Sequence, residues 1–298
     1  MNLALVRKRS VAVRTGVVDV VQYLAGQRML VAGLLVILSL ALFGLIGSRF
    51  VDITTARPLS DIPGESPSWK YPLGTDIQGR NLLAVMVSGV PLTMRVGFIA
   101  GSVGLGIGII LGFAAGYLGG VVDAVIRTAS DVLTTIPTLL LLVTIAVSIE
   151  GLLSVDLMAM IIALMAWMGP TRVIRSQVLT LRERAFVTVS KVSGMNDFEI
   201  MGKELLPNML PFLAASFVNA VIIAVLASVG LQALGLGPTD APTMGMTIHW
   251  ALQFGAVLGG MWWWWVPPLA VIAIFFVGLY LAATGLDRIA NPRIGNTL

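Results

Sequence analysis

Long apolar runs alternate with short polar ones along this chain, and the runs are too long to be strands. Six approach the 20 or so residues that a helix needs to cross roughly 30 Å of hydrocarbon. They run from about Met29 to Gly47, Leu92 to Leu118, Val122 to Ser148, Leu157 to Ile174, Met209 to Leu234 and Trp264 to Thr284. A barrel would show shorter segments of strict alternation. A helix satisfies its own backbone polar groups where no water is at hand. The pattern therefore predicts an all-α integral membrane protein with six transmembrane helices. It divides the chain into a head over residues 1–28, a first helix and long loop over 29–91, a five-helix core over 92–290 and a tail over 291–298.

Composition sharpens this. Of 298 residues, 57% are hydrophobic and only 11% charged, against about 25% charged in a typical soluble domain. The lipid bilayer is thus the main solvent. A net charge of +4 would suit nucleic acid, but the basic residues fall in short clusters between apolar runs, where they set membrane orientation. No nucleic-acid partner is expected. The sequence has no Cys and one His, so no disulfide, metal site or cofactor is expected either. Arg7-Lys8-Arg9 leads into a mixed amphipathic stretch and not a short apolar core, so no cleavable signal is read.

The basic residues are unevenly shared. Arg7, Lys8, Arg9, Arg14 and Arg28 precede the first run, and Arg172, Arg175, Arg182, Arg184, Lys191 and Lys203 join the fourth to the fifth. With six spans these lie on one side, together with Arg127, Arg288 and Arg293. The other side has Arg49, Arg57, Lys70, Arg80 and Arg95 in one long loop and none in its other two. The positive-inside rule then places both termini in the cytoplasm of a multi-pass cell-membrane protein.

Two stretches between the runs stand out. Arg49 to Val90 is rich in Pro, Gly and Asp and reads as a packed irregular cap. The other, residues 181–207, reads LRERAFVTVSKVSGMNDFEIMGKELLP. Ala185, Phe186, Val189 and Val192 recur at helical spacing until Gly194 breaks the run. Asn196 or Asp197, with Glu199 nearby, can cap a second short helix that ends before Pro207. This helix–Gly–helix element is either an interfacial pair joining two spans or a docking knob for a soluble partner.

Other features have bland readings. Asp123, Arg127 and Asp131 fall at i, i+4 and i+8, on one helical face, and predict an intrahelical ion ladder that sets packing. Glu150 reads as solvated at the outer interface. Gly101, Gly104, Gly106, Gly108 and Gly112 include GxG spacings, but a dinucleotide fingerprint needs a strand before it; close helix approach is the better account. His249 reads as structural on the outer side, and Trp262 to Trp265 as interfacial. Gly202-Lys203 is followed by Glu204 and lacks the earlier Gly of a phosphate-binding loop, so this chain is not an ATPase. With one His and no Cys, no nucleophile–base pair is credible, and no enzyme is read.

Several ordered motifs resemble one family, the permease subunits of binding-protein-dependent ABC importers, of the dipeptide, oligopeptide and nickel type. Gly194 and Leu206-Pro207 match the cytoplasmic loop of that family, flanked by Leu181-Arg182-Glu183 and Asn208. Thr188-Val189-Ser190 stand where Glu-Ala-Ala is usual, and Glu204 where His or Ile is. Leu73-Gly74-Thr75-Asp76 with Gly79-Arg80-Asn81 is similar to the run before the second span, and Gly116-Tyr117-x-Gly119-Gly120 to the run entering the third. Pro137-x-Leu139-Leu140, Trp167 with Arg172 and Arg175, Leu234-Gly235-Leu236-Gly237, and Leu286-Asp287 with Pro292-Arg293 follow in order.

The resemblance implies a type I importer permease fold with a cytoplasmic coupling helix. It implies a second homologous permease subunit, two ATP-binding ATPase subunits and an extracytoplasmic substrate-binding protein as partners, with peptides or oligosaccharides as cargo. The binding protein would touch the long first loop and the Gly237–Met261 loop. Residues expected to couple to the ATPase are Phe186, Val187, Met195 and Phe198 as buried contacts, Arg182, Glu183 and Lys191 as a polar rim, and Gly194 as the turn. The alternative, an ion-gradient-driven secondary transporter, would want ionisable residues at mid-membrane and paired broken helices. The charges here lie near the ends of the runs. A scaffold without transport would have no use for the helix–Gly–helix element.

Overall fold

A computed structural model describes residues 27–149, 151 and 153–290. Arg7, Lys8, Arg9, Arg14, Glu150, Pro292 and Arg293, with most of the expected head and all of the tail, lie outside the described residues. The described chain is helical, with a single isolated bridge between Thr75 and Asn81. Four helices are long and apolar enough to cross a membrane, or six if each of two bent pairs forms one span.

Helix α1 spans Arg28–Phe50. Its outward face, with Leu34, Leu35, Leu38, Leu42 and Leu45, is exposed, which suits contact with lipid and not water. Its other face meets α10, Trp262–Ala290. A Cβ on Gly33 would lie 2.4 Å from the Ala282 nitrogen, and one on Gly285 2.5 Å from Leu30, so the two backbones touch.

Helix α2 is a 37-residue rod, Leu82–Leu118. The sequence pattern places its start near Leu92, and the structure moves it ten residues earlier. The Asn81 side chain caps it by accepting from the Leu83 amide at 3.1 Å. Pro91 lies inside the helix. Gly44 of α1 makes room for its ring, since a Cβ there would come within 2.2 Å of Pro91 Cγ. Arg95, placed in the outer loop by the sequence, is therefore on α2. The last turn of α2, Ala114–Leu118, is a π-helix.

The third run is not one straight helix. Helices α3 (Gly120–Thr135) and α4 (Thr138–Ser148) meet at 83°. Pro137 cannot extend the ladder, and it holds Ile136 in an extended conformation at φ −86° and ψ 128°. The fourth run bends by 42° between α5 (Val155–Ala166) and α6 (Met168–Arg182). Arg172, Arg175 and Arg182 thus belong to a helix, where the sequence pattern puts them in a connection. Gly104, Gly108 and Gly112 of α2 face this pair; Cβ atoms there would fall 2.5 Å from Ala166, 2.7 Å from Pro170 and 2.9 Å from Ile174. Gly106 faces open space.

After α7, Ala185–Val192, comes α8, Asp197–Ala233, packed on α2 where Gly97 and Gly101 meet Val221 and Val225. The segment expected as an open loop over Gly237–Met261 instead contains a largely buried helix, α9, Met244–Gln253. A buried polar cluster fixes it. Gln232 donates to Ser228 at 2.6 Å and accepts from the Met246 amide at 3.1 Å and from the Thr243 hydroxyl. Thr93 accepts from the Met244 amide at 3.0 Å. His249 Nδ1 lies 3.1 Å from the Ala233 carbonyl. Of the tryptophans read as interfacial, Trp264 is fully buried, and Trp263 donates to the Thr75 carbonyl at 3.2 Å, pinning the cap to α10.

Candidate functional site

The element between α6 and α8 stands on the base of α2. Its geometry follows from the local sequence. Helix α7 ends in a Schellman motif: the Gly194 amide donates to the Lys191 carbonyl at 3.0 Å and the Met195 amide to that of Ser190 at 3.1 Å. Gly194 has φ +86°, and a Cβ added to it would meet nothing within 4 Å, so backbone conformation and not space demands glycine here. A capping box follows at once. Asn196 accepts from the Glu199 amide at 2.9 Å, and the Glu199 carboxylate accepts from the Asn196 amide at 3.2 Å. The turn is thereby closed on both sides.

Four contacts bind this element and its flanks to the spans. Val187 is 1% exposed and packs in one cluster with Phe113, Tyr117, Ile174, Val178, Ile200 and Leu205. The Tyr117 hydroxyl donates to Asp197 Oδ1 at 3.0 Å, and the Lys191 ammonium lies 5.2 Å above the Tyr117 ring. Arg182 donates to the Gly116 carbonyl at 3.1 Å, satisfying an orphan acceptor at the end of α2. The start of α8 is itself a π-helix, Ile200–Leu205. Two π segments, a rare conformation, thus meet here, one holding Tyr117 and the other packing Ile200 and Leu205 in the Val187 cluster.

The residues expected to contact a partner divide into two groups. Val187 faces the chain's own core and is unavailable, so the structure corrects its assignment to an outer contact. Arg182 also turns inward, while bonding Glu183 at 3.0 Å. Phe186 and Met195 are half-buried against the core, and Phe198 is 78% exposed. The free apolar face of α7 is Val189 and Val192, the latter 85% exposed. The sequence assigns neither a contact, although their spacing places both on the helical stripe. An apolar stripe has two uses, inner and outer, and spacing alone does not say which residue serves which.

The ion ladder is corrected as well. Asp123 and Asp131 pair across helices, not along α3. Arg175 of α6 grips Asp123 with Nε and with Nη2, the latter at 2.6 Å, in a bidentate fork. Arg172 lies 3.9 Å from Asp131 on the exposed surface. Arg127 is exposed and joins no ion pair among the described residues. Ser130, fully buried, donates to the Met168 carbonyl at 3.2 Å. The three ties hold α3 against α6.

Comparison with known proteins places this arrangement. Residues 104–296 match the family model of the binding-protein-dependent transport system inner membrane component. The chain is 29% identical over 222 residues to the oligopeptide transport system permease protein of Lactococcus lactis, covering 74% of this chain and 75% of that one. It is 28% identical over 276 residues to the dipeptide transport system permease protein of Bacillus subtilis, covering 93% and 85%. Among solved structures, an inward-facing methionine ABC transporter matches with a TM-score of 0.52 at 21% identity, over 70% of this chain and 95% of that one; at that identity the likeness concerns the fold. The matched region takes in the π-helical end of α2, the bent pairs, the α7 element and α8. This chain belongs to the family of binding-protein-dependent transport system inner membrane components, and it is a multi-pass permease subunit of the ABC importer type.

Proposed function

We propose that the chain forms half of a translocation pathway for peptides, paired with a second homologous permease, and that α7 seats in a cleft of an ATPase subunit. Two ATPase subunits would serve the permease pair, and an extracytoplasmic binding protein would deliver the cargo to the opposite face. Both termini, with α7, would lie in the cytoplasm. Peptide cargo is favoured by the names of the relatives above, which are oligopeptide and dipeptide permeases.

The observation that carries the docking reading is the division of labour on α7. Val187 anchors it inward, while Val189 and Val192 stand 63% and 85% exposed on the other side. A short helix tied down by one face and a closed turn, with valines on the free face, is built to press on a partner. The test is co-purification of the ATPase with the full chain expressed beside its partner subunits. Val192→Asp is expected to lose the ATPase while the permease pair still purifies with an unchanged melting temperature. Undiminished ATPase recovery in that variant sinks the docking face.

A further inference from the structure

The outward faces of the spans differ in kind. On α1 the exposed stripe is chiefly leucine, with Leu38 at mid-span, and Ser39 satisfies itself by donating to the Val36 carbonyl at 2.8 Å. On α8 the exposed stripe is Asn219, Ile223 and Leu226, at i, i+4 and i+7. Asn219 lies midway along the apolar part of that helix, Leu206–Ala233. A carboxamide has two donors and an acceptor to satisfy, and hydrocarbon offers it nothing, so this face meets water or protein and not lipid. Beside the stripe lies a pocket of about 210 Å³ between the two bent spans and α8. Its wall includes Thr134 of α3, Thr138 of α4, Met165 of α5, Arg172 of α6, and Ile223 and Ala227 of α8. Thr134 and Thr138 stand on either side of the 83° elbow. Ile136 there is extended and Pro137 has no N–H. Among the described residues no backbone amide therefore reaches the carbonyls of Leu133, Thr134 and Thr135. Unpaired backbone at membrane depth persists only where it is buried in protein or lines a water-filled cavity.

We propose that this pocket holds one residue of the cargo in transit, with an apolar side chain in the pocket and a main-chain N–H donating to the elbow carbonyls. The inference rests on the peptide pathway proposed above. The volume suits a side chain and falls short of a site for a whole ligand. Arg172, the charged residue of the wall, lies 3.9 Å from Asp131, so its charge is matched and the pocket does not select an ionised group. Main-chain acceptors serve every peptide alike, whereas a pocket sorts side chains by size and polarity. Helices broken near the bilayer midplane present backbone groups to substrates in other transporters by the same logic. The polar stripe and the elbow thus belong to one face, and that face is the wall of the pathway.

The chain has no Cys, so single cysteines can be placed in it without background. In the permease assembled with its partner subunits in nanodiscs, a charged thiol reagent should modify Asn219→Cys and Thr138→Cys at least about tenfold faster than Leu38→Cys, because the reactive thiolate forms where water reaches it. The mass of this chain reports the rate. Equally slow modification at all three positions would put the face against protein or lipid and overturn the site. Uptake into vesicles, driven by ATP and the binding protein, reads the pocket itself with tri-alanine and tri-leucine as probes. Ala227→Phe fills the pocket from α8 and should lower uptake of tri-leucine about tenfold more than that of tri-alanine. Ile223→Ala, at an exposed position, enlarges it without threatening the fold and should shift the ratio the other way. A ratio moved by neither substitution overturns the pocket, while peptide uptake by the unaltered chain keeps the wider reading. No uptake of either peptide by the unaltered chain sinks the peptide reading and this site with it.

Discussion

Replacing Val187 by Ala tests whether α7 is held in place by the chain itself. The substitution removes two methyl groups from a side chain that is 1% exposed. At about 0.8 kcal/mol for each buried carbon the transfer loss is roughly 1.6 kcal/mol. A residual void of roughly 50 Å³ at about 24 cal/mol per Å³ adds about 1 kcal/mol if the site does not collapse. Phe113, Ile174, Ile200 and Leu205 surround it from three different helices, which limits collapse, so the sum is about 2–3 kcal/mol. The cost falls on a single short helix, whose local opening is far cheaper than global unfolding. It should raise the open population of α7 roughly 30- to 150-fold. Hydrogen exchange read by mass spectrometry on peptides covering residues 185–195 should accelerate by that factor, while the α2 and α8 interiors stay protected. Val192→Ala, at an exposed position, should change exchange by less than about threefold. An enhancement below threefold in Val187→Ala, with the rest of the chain intact, would refute the anchoring argument.

Gly194→Ala should destabilise the turn by about 1–2 kcal/mol, because an L side chain is strained at φ +86° even in open space; faster exchange confined to residues 190–199 would report it. Asp123→Asn should cost about 2 kcal/mol, seen as a lower melting temperature in detergent, because Arg175 loses a charged bidentate partner. An unchanged melting temperature would mean that the pair adds nothing to helix packing. Gly108→Val should abolish folded yield, since its Cβ would lie 2.7 Å from that of Pro170, whereas Gly106→Val, facing open space, should purify normally.

Much of this is legible in the sequence. The apolar runs declare a helical membrane protein of up to six spans, and Gly194 and Asn196 mark the turn after α7. The second short helix, expected to end before Pro207, instead runs on through it as α8. The glycine spacing on α2 reads correctly as close approach. The misses have physical causes. Pro91 and Pro137 look alike as letters, but Gly44 opposite Pro91 lets one helix run on, while the other breaks by 83°. That difference is set by a residue some fifty positions away. The Asp123–Arg127–Asp131 spacing satisfies an intrahelical rule, but Arg175 offers a bidentate partner across the bend, and a fork outcompetes a single flexible contact. Helix α9 is hidden because its hydrogen-bonding anchor, Gln232, comes from another helix. Val187 and Val192, five residues apart, fall on different faces of the helix, and only packing says which face turns inward.

The continuous helix α2 has a mechanical meaning. Its 37 residues make a rod about 55 Å long at 1.5 Å per residue, with the cap at one end and the Tyr117–Asp197 hydrogen bond at the other. A rod of that length acts as a lever: a tilt of about 5° about its base carries the far end through roughly 5 Å, more than the width of a water molecule. The coupling end can therefore stay almost still while the cap end travels. Pro91, nine residues from the top of the rod and lodged against Gly44, lies on the travelling arm, where α1 bears against it.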